Sequence, residues 1–244
     1  MKKDSVLLEV CTNSLDSARQ AQLGGAHRIE LCSALELGGL TPSAATLQLV
    51  RKYIELPIFV LIRPRAGHFC YSPDEREVIF RNIDLAKQMG ADGIVGGALT
   101  PDGQIDLEFT QRMIEISAPL PFTFHRAFDR CREPMQAMEL LIAAGVQRIL
   151  SSGQAVSAVA GQVLLKQMVE KAGKRLTILG GAGINSQNAK QLVQQTGLEE
   201  IHFSAKQEVV SSADGLGGQG NGLADAAHWI TDSEEVKRIK ALFA

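Results

Sequence analysis

The chain alternates between short apolar runs and longer stretches of helical spacing, and it does so eight times. The runs are Val6–Cys11, Arg28–Cys32, Pro57–Arg63, Gly93–Gly96, Phe122–Arg126, Arg148–Ser151, Arg175–Leu179 and Glu200–Ser204. They are rich in Ile, Val, Leu and Phe, as strands buried on both faces should be. Helical spacing fills the intervals, for example Pro73–Met89, Pro134–Ala144 and Ser186–Gln195. Thr41-Pro42 and Ser72-Pro73 each place an N-cap residue before a Pro at the first helical position. Asn185 reads as the cap of the helix after Gly183. Gly25, Gly90, Gly145 and Gly197 each close a helix two or three residues before a strand, where a left-handed cap is needed. Eight strand–helix units have one common closed solution. The predicted fold is therefore α/β, a (β/α)8 TIM barrel, as a single domain over residues 1–244. A doubly wound open sheet is the alternative, but Cys11-Thr-Asn-Ser stands where its glycine fingerprint would follow the first strand.

One segment breaks the pattern. Residues from about 205 to 231 carry Gly215, Gly217, Gly218, Gly220 and Gly222. They read either as a flexible loop over the barrel mouth or as a disordered insertion. A C-terminal helix is expected at about 232–243.

Composition narrows the function classes. The chain has 244 residues, 45% of them apolar, enough for one sizeable core. The net charge is −2 and no Lys/Arg block stands out, which argues against a nucleic-acid partner. The first apolar run is broken by Glu9, so neither a signal peptide nor a membrane span is expected. A cytoplasmic location follows as the expectation. Cys11, Cys32, Cys70 and Cys131 show no CxxC spacing, and free thiols are expected in a reducing compartment.

The period of two along each strand selects the residues that face the barrel interior. Leu7, Glu9 and Cys11 form one set on the first strand; Arg28, Glu30 and Cys32 form one on the second. The outer face must pack on helices, so these polar sets face inward. Adjacent strands lie about 4.8 Å apart, so Cys11 and Cys32 can bring two sulfurs together. Two thiolates suit a soft ion such as Cu(I); the same residues also suit small buried core positions. Glu9 and Glu30 are paired carboxylates, either an acid/base pair or groups held by Arg28, Arg63 or Arg126.

Arg63 and Arg65 end the third strand and suggest an anionic ligand, or a salt-bridge network with the two glutamates. In Thr123-Phe-His-Arg-Ala-Phe-Asp129 the alternation turns His125 toward the mouth, as acid, base, ligand or hydrogen-bonded core residue. Arg126 and Asp129 can pair with each other. Gly180-Gly-Ala-Gly183 and Ser204 follow the seventh and eighth strands, where barrels often build a phosphate site from backbone N–H groups. Gly181 and Gly183 are its candidates, although a tight turn alone also needs glycine. Only Lys206 lies near a strand end, which gives little support to Schiff-base chemistry.

Several of these stretches together resemble the CutC family: Leu8-Glu-Val-Cys11, Arg28-Ile-Glu-Leu-Cys32, Gly38-Gly-Leu-Thr-Pro-Ser43, Ile62-Arg-Pro-Arg-Ala-Gly-His-Phe-Cys-Tyr71, Asp102-Gly-Gln-Ile-Asp106, Thr123 to Asp129, Arg148 to Gly153 and Gly181-Ala-Gly-Ile184. Their order and spacing run over more than half of the chain. The resemblance implies a barrel fold, a cytoplasmic location, self-association as a homo-oligomer and a role in copper homeostasis. It also implies Cu(I) ligation by Cys11 and Cys32. The alternative is a barrel enzyme acting on a small phosphorylated or carboxylated metabolite. Glu9, Glu30 and His125 would then be its catalytic residues, and Arg63, Arg65, Arg126, Gly181, Gly183 and Ser204 its ligand-binding residues.

Overall fold

The computed structural model describes residues 6–209 and 228–244. Eight parallel strands close into one barrel in chain order: β1 (Leu7–Thr12), β2 (Arg28–Leu31), β3 (Ile58–Leu61), β4 (Gly93–Gly96), β5 (Phe122–Phe124), β6 (Arg148–Ser151), β7 (Thr177–Gly181) and β8 (Glu200–Phe203). Closure comes from β8 pairing with β1, where Glu9 stands opposite His202 and Val10 opposite Phe203. Helices α1 (Leu15–Gly24), α2 (Ala44–Tyr53), α3 (Pro73–Gln88), α4 (Leu107–Ser117), α5 (Pro134–Ala143), α6 (Gln162–Ala172), α7 (Ala189–Thr196) and α8 (Ser233–Ala241) surround it. This is the (β/α)8 barrel that the alternation implies.

The main apolar core lies between strands and helices. Leu8, Val10, Ile29, Leu31, Ile58, Val60 and Ile94 meet helix residues such as Leu47, Val50, Ile79, Ile83 and Met113 there. Ile79, Ile83 and Ala86 fall on one face of α3, whose start carries a full capping box between Ser72 and Glu75. A second, smaller apolar cluster of Cys11, Cys32, Phe59, Leu61 and Val95 fills the barrel itself. Gly93 makes room for it: a Cβ there would lie 2.6 Å from the Phe59 ring. Among the described residues, no helix is long and apolar enough to cross a membrane.

Several local readings need correction. The third strand ends at Leu61, before Arg63, whose N–H donates to Thr41 Oγ1. Thr41 is thereby occupied, and Ser43 caps α2 instead, accepting from the N–H of Thr46. Asn185 organises the turn before α7, and the helix starts three residues later than expected. The seventh strand is shifted toward its carboxyl end, over Thr177–Gly181, because Arg175 is drawn to Glu139 on α5. The fifth strand stops at Phe124, and Arg126 opens a short 3-10 turn to Arg130.

The ends of the glycine-rich segment are not irregular. Lys206–Val209 (β9) pairs antiparallel with His228–Thr231 (β10), and Lys206 Nζ stacks on the Trp229 ring. The glycines of the segment lie outside the described residues.

Candidate functional site

The alternation along β1, β2, β6 and β8 turns a line of charged side chains into the barrel. In its lower layer Arg28 pairs with Glu9 and, at 2.7 Å, with Glu200. Arg148 reaches the same Glu200 at 2.7 Å. The Phe59 ring lies against both guanidiniums, 4.6 Å from Arg28 and 5.4 Å from Arg148. Two carboxylates and two guanidiniums thus balance one another in a water-poor interior, the condition under which buried charges are tolerated. Of the three arginines expected to hold Glu9 and Glu30, only Arg28 pairs with either, and it pairs with Glu9 alone among the described residues.

Above this layer, at the carboxyl ends of the strands, lie Cys11, Cys32, Glu30 and His202. Cys11 Sγ is 3.6 Å from Cys32 Sγ and 3.5 Å from Glu30 Oε1. Both cysteines are buried. Cys11, Glu30 and His202 each present one potential ligand atom, and these atoms lie within 4.8 Å of one another. Glu9 Oε1 is 2.8 Å from His202 Nδ1, which leaves Nε2 as the ring nitrogen open to a ligand.

Burial works against the charge on Glu9, yet Arg28 and His202 outweigh it and hold the carboxyl at about 2. At Glu30 the balance is reversed: burial, reinforced by Glu9, outweighs His202, the Cys11 hydrogen bond and Arg28 and raises its pKa, and its Oε2 is without a hydrogen bond among the described residues. The hydrogen bond to Cys32 and burial, with Cys32 and Glu30 adding to them, push the Cys11 thiol well above its ordinary range. Burial opposes protonation of His202, but Glu30 and Glu9 prevail and raise its pKa.

A cavity of about 310 Å³ opens over this cluster, lined among others by Cys11, Glu30, Arg63, His125, Arg126 and His202. Gly183, Ser204 and Lys206 also line it. Glu9 and Cys32 lie beneath its floor, 0% exposed. Arg65 does not reach it. Its guanidinium is bound to Glu75 and to the carbonyls of His68 and Cys70. Gly181 is likewise enclosed within β7, where a Cβ would lie 2.6 Å from Leu150 Cδ1. Arg126 is held at the rim by Asp129 (2.7 Å) and Ser152 Oγ (3.0 Å).

His202 is the site residue that sequence reasoning left without a role. The rule applied to β1 and β2 finds it: on β8 the period of two sets Glu200 and His202 against Ile201 and Phe203. Arg148 and Glu200 were equally open to that rule.

Known proteins carry the same arrangement of sequence. A model of the CutC family matches residues 6–207. A CutC family protein of Pasteurella multocida (strain Pm70) is 44% identical over 237 residues, covering 96% of this chain and 97% of the relative. The human copper homeostasis protein cutC homolog is 48% identical over 200 residues, covering 82% of this chain and 73% of its own. A CutC crystal structure from Streptococcus agalactiae superposes with a TM-score of 0.78 at 30% identity, covering 82% of this chain and 98% of that one. The family match spans all eight barrel strands and includes Cys11, Glu30, Cys32 and His202, so this chain belongs to the CutC family.

Proposed function

We propose that this chain serves copper homeostasis and holds Cu(I) as cargo between Cys11 and Cys32, with His202 as a third donor. The observation that carries this reading is the 3.6 Å separation of two buried sulfurs on adjacent strands. Thiolates and imidazole are soft to borderline donors and suit Cu(I) far better than Mg²⁺ or Ca²⁺.

The spacing bears on the donor set. With metal–thiolate bonds of about 2.3 Å, a linear pair would need sulfurs about 4.6 Å apart. The observed pair is closer, which suits a bent arrangement with room for a further ligand. His202 supports that role because Glu9 occupies its Nδ1 and so directs its Nε2, as carboxylate–histidine pairs do at metal sites. Loading requires the thiols to lose their protons, and Glu30 is the nearest base to Cys11. The names of the human and mouse relatives, copper homeostasis protein cutC homolog, support copper as the ion. A reducing cytoplasmic setting accompanies this reading, since all four cysteines are free. Self-association belongs to it as an expectation of the family, measurable by sedimentation.

Anaerobic titration of Cu(I) against a competing chelator tests the proposal. Wild type is expected to bind tightly and stoichiometrically, and Cys11→Ser and Cys32→Ser each to weaken binding strongly. Unchanged affinity in both variants rejects the site.

A further inference from the structure

Arg63 is a buried cation without a counter-ion. It is 6% exposed, and its terminal nitrogens donate only to the carbonyls of Leu37, Gly39 and Gly67, each at 3.0 Å. Among the described residues no carboxylate pairs with it and its Nε–H makes no hydrogen bond; the neighbouring Tyr71 hydroxyl, also without one, is neutral and leaves the charge unanswered. A buried charge left in this state is costly unless something answers it.

His125 is the second unpaired group beside this cavity. Its Nδ1 accepts the N–H of Ala127 at 3.3 Å, so in the neutral ring the proton sits on Nε2. That Nε2 is buried and also without a partner among the described residues. Burial and the neighbouring Arg63 keep the ring neutral by pushing its pKa down to about 3. The Phe69 ring touches both groups, 5.0 Å from the Arg63 guanidinium carbon and 4.9 Å from the His125 ring, and all three line the cavity. Among the described residues, two fixed donors, one of them cationic, therefore stand side by side with no anion to answer them.

We infer that the mouth also binds a short hydroxylated oxyanion, a carboxylate or a phosphate ester, with its oxygens on Arg63 and His125. Fixed N–H donors around a guanidinium are the arrangement that recognises such groups. Lys206 lines the same cavity and adds positive charge to it; Arg126 lines it as well, with its charge answered by Asp129. Glu30, whose Oε2 has no partner, supplies an acceptor for a ligand hydroxyl. At about 310 Å³ the cavity is far larger than an ion needs and matches the small end of metabolite pockets. Recognition of the anionic group is independent of the copper reading, because neither Arg63 nor His125 belongs to the thiol cluster.

Calorimetric titration of the metal-free full-length chain tests it, with glycerol 3-phosphate, glycerate and inorganic phosphate as probes. Glycerol 3-phosphate or glycerate is expected to bind, more tightly than inorganic phosphate, and the stronger of the two identifies the anionic group. His125→Phe and Arg63→Met should each weaken it about tenfold or more, as loss of a buried charged or fixed donor does. His125→Gln, which keeps an N–H at similar reach, should recover much of the affinity, a result that damage to the fold does not produce. Cys32→Ser, at a position beneath the cavity floor, should bind the anion as wild type does while its Cu(I) binding weakens. Absence of binding by both organic probes at millimolar concentration overturns the inference. Wild-type affinity in His125→Phe and Arg63→Met, or loss of anion binding in Cys32→Ser, overturns it equally.

Discussion

Glu9 Oε1 on β1 lies 2.8 Å from Nδ1 of His202 on β8, across the seam where the barrel closes. The same carboxylate is bound by Arg28, so the imidazole is oriented by an anion that is itself held in place. The lower ion network and the upper donor cluster are thus mechanically one unit.

Glu9→Gln keeps the shape of that link and removes its charge. Arg28 then retains one carboxylate instead of two, and the loss of a buried pair costs on the order of 3 kcal/mol. Urea unfolding measures that loss. Cu(I) affinity should fall about 10–100-fold, the usual effect of removing a group that orients a metal-bound imidazole. Wild-type affinity in Glu9→Gln would separate Glu9 from metal binding.

Glu200 is shared by two guanidiniums, Arg28 Nη2 at 2.7 Å and Arg148 Nε at 2.7 Å. Glu200→Ala leaves both short of an anion inside the barrel and should destabilise the fold by about 3–5 kcal/mol. Adding Arg148→Met removes one of the unanswered charges and should restore part of the loss. A double-mutant cycle in denaturant reads the coupling directly, and strict additivity would deny it.

His125 makes stability depend on pH. Its ordinary pKa of 6.5 falls to about 3 in the folded chain, through burial and Arg63. Between those values the unfolded chain binds a proton that the folded chain does not. The contribution is therefore complete above about pH 7. It is lost as pH falls, at about 1.4 kcal/mol per pH unit within the window. His125→Gln should flatten this part of the profile. An identical slope in the variant would assign the acid sensitivity to other groups.

Gly161 packs directly on the loop that follows β6. A Cβ there would lie 1.9 Å from the Ser152 carbonyl oxygen and 2.8 Å from Gly153 Cα. Both neighbours are backbone, so no side chain can swing aside. Gly161→Ala should cost roughly 3 kcal/mol and lower Tm, as overpacking does. Ser152 also positions Arg126 at the cavity rim, so the substitution should disturb that rim as well.

Much of the site was legible from period-two alternation. It turned Glu9, Cys11, Glu30 and Cys32 inward on two neighbouring strands and His125 toward the mouth, and the structure has them there. The same alternation also turns Arg148, Glu200 and His202 inward on β6 and β8. Arg63 and Arg65 looked equivalent in sequence, two residues apart beyond the same strand. Yet Arg63 turns into the cavity while Arg65 closes on Glu75 ten residues later. Nothing in the local pattern separates them, because the separation depends on where the loop before α3 folds back.

By itself, the sequence determined the eight strand–helix units, the inward polar faces and the end of the barrel at which the polar residues gather. These follow from interactions within a few residues: apolar periodicity, helix caps and the demand that outer faces pack on helices. Only the tertiary structure decided which buried charge meets which. The stagger between strands sets Glu9 opposite Arg28 on one side and His202 on the other. Closure of the barrel also brings Glu200 to Arg148, 52 residues away in the chain. That stagger is a property of the closed ring as a whole, fixed by strand number and tilt together, and no single strand encodes it.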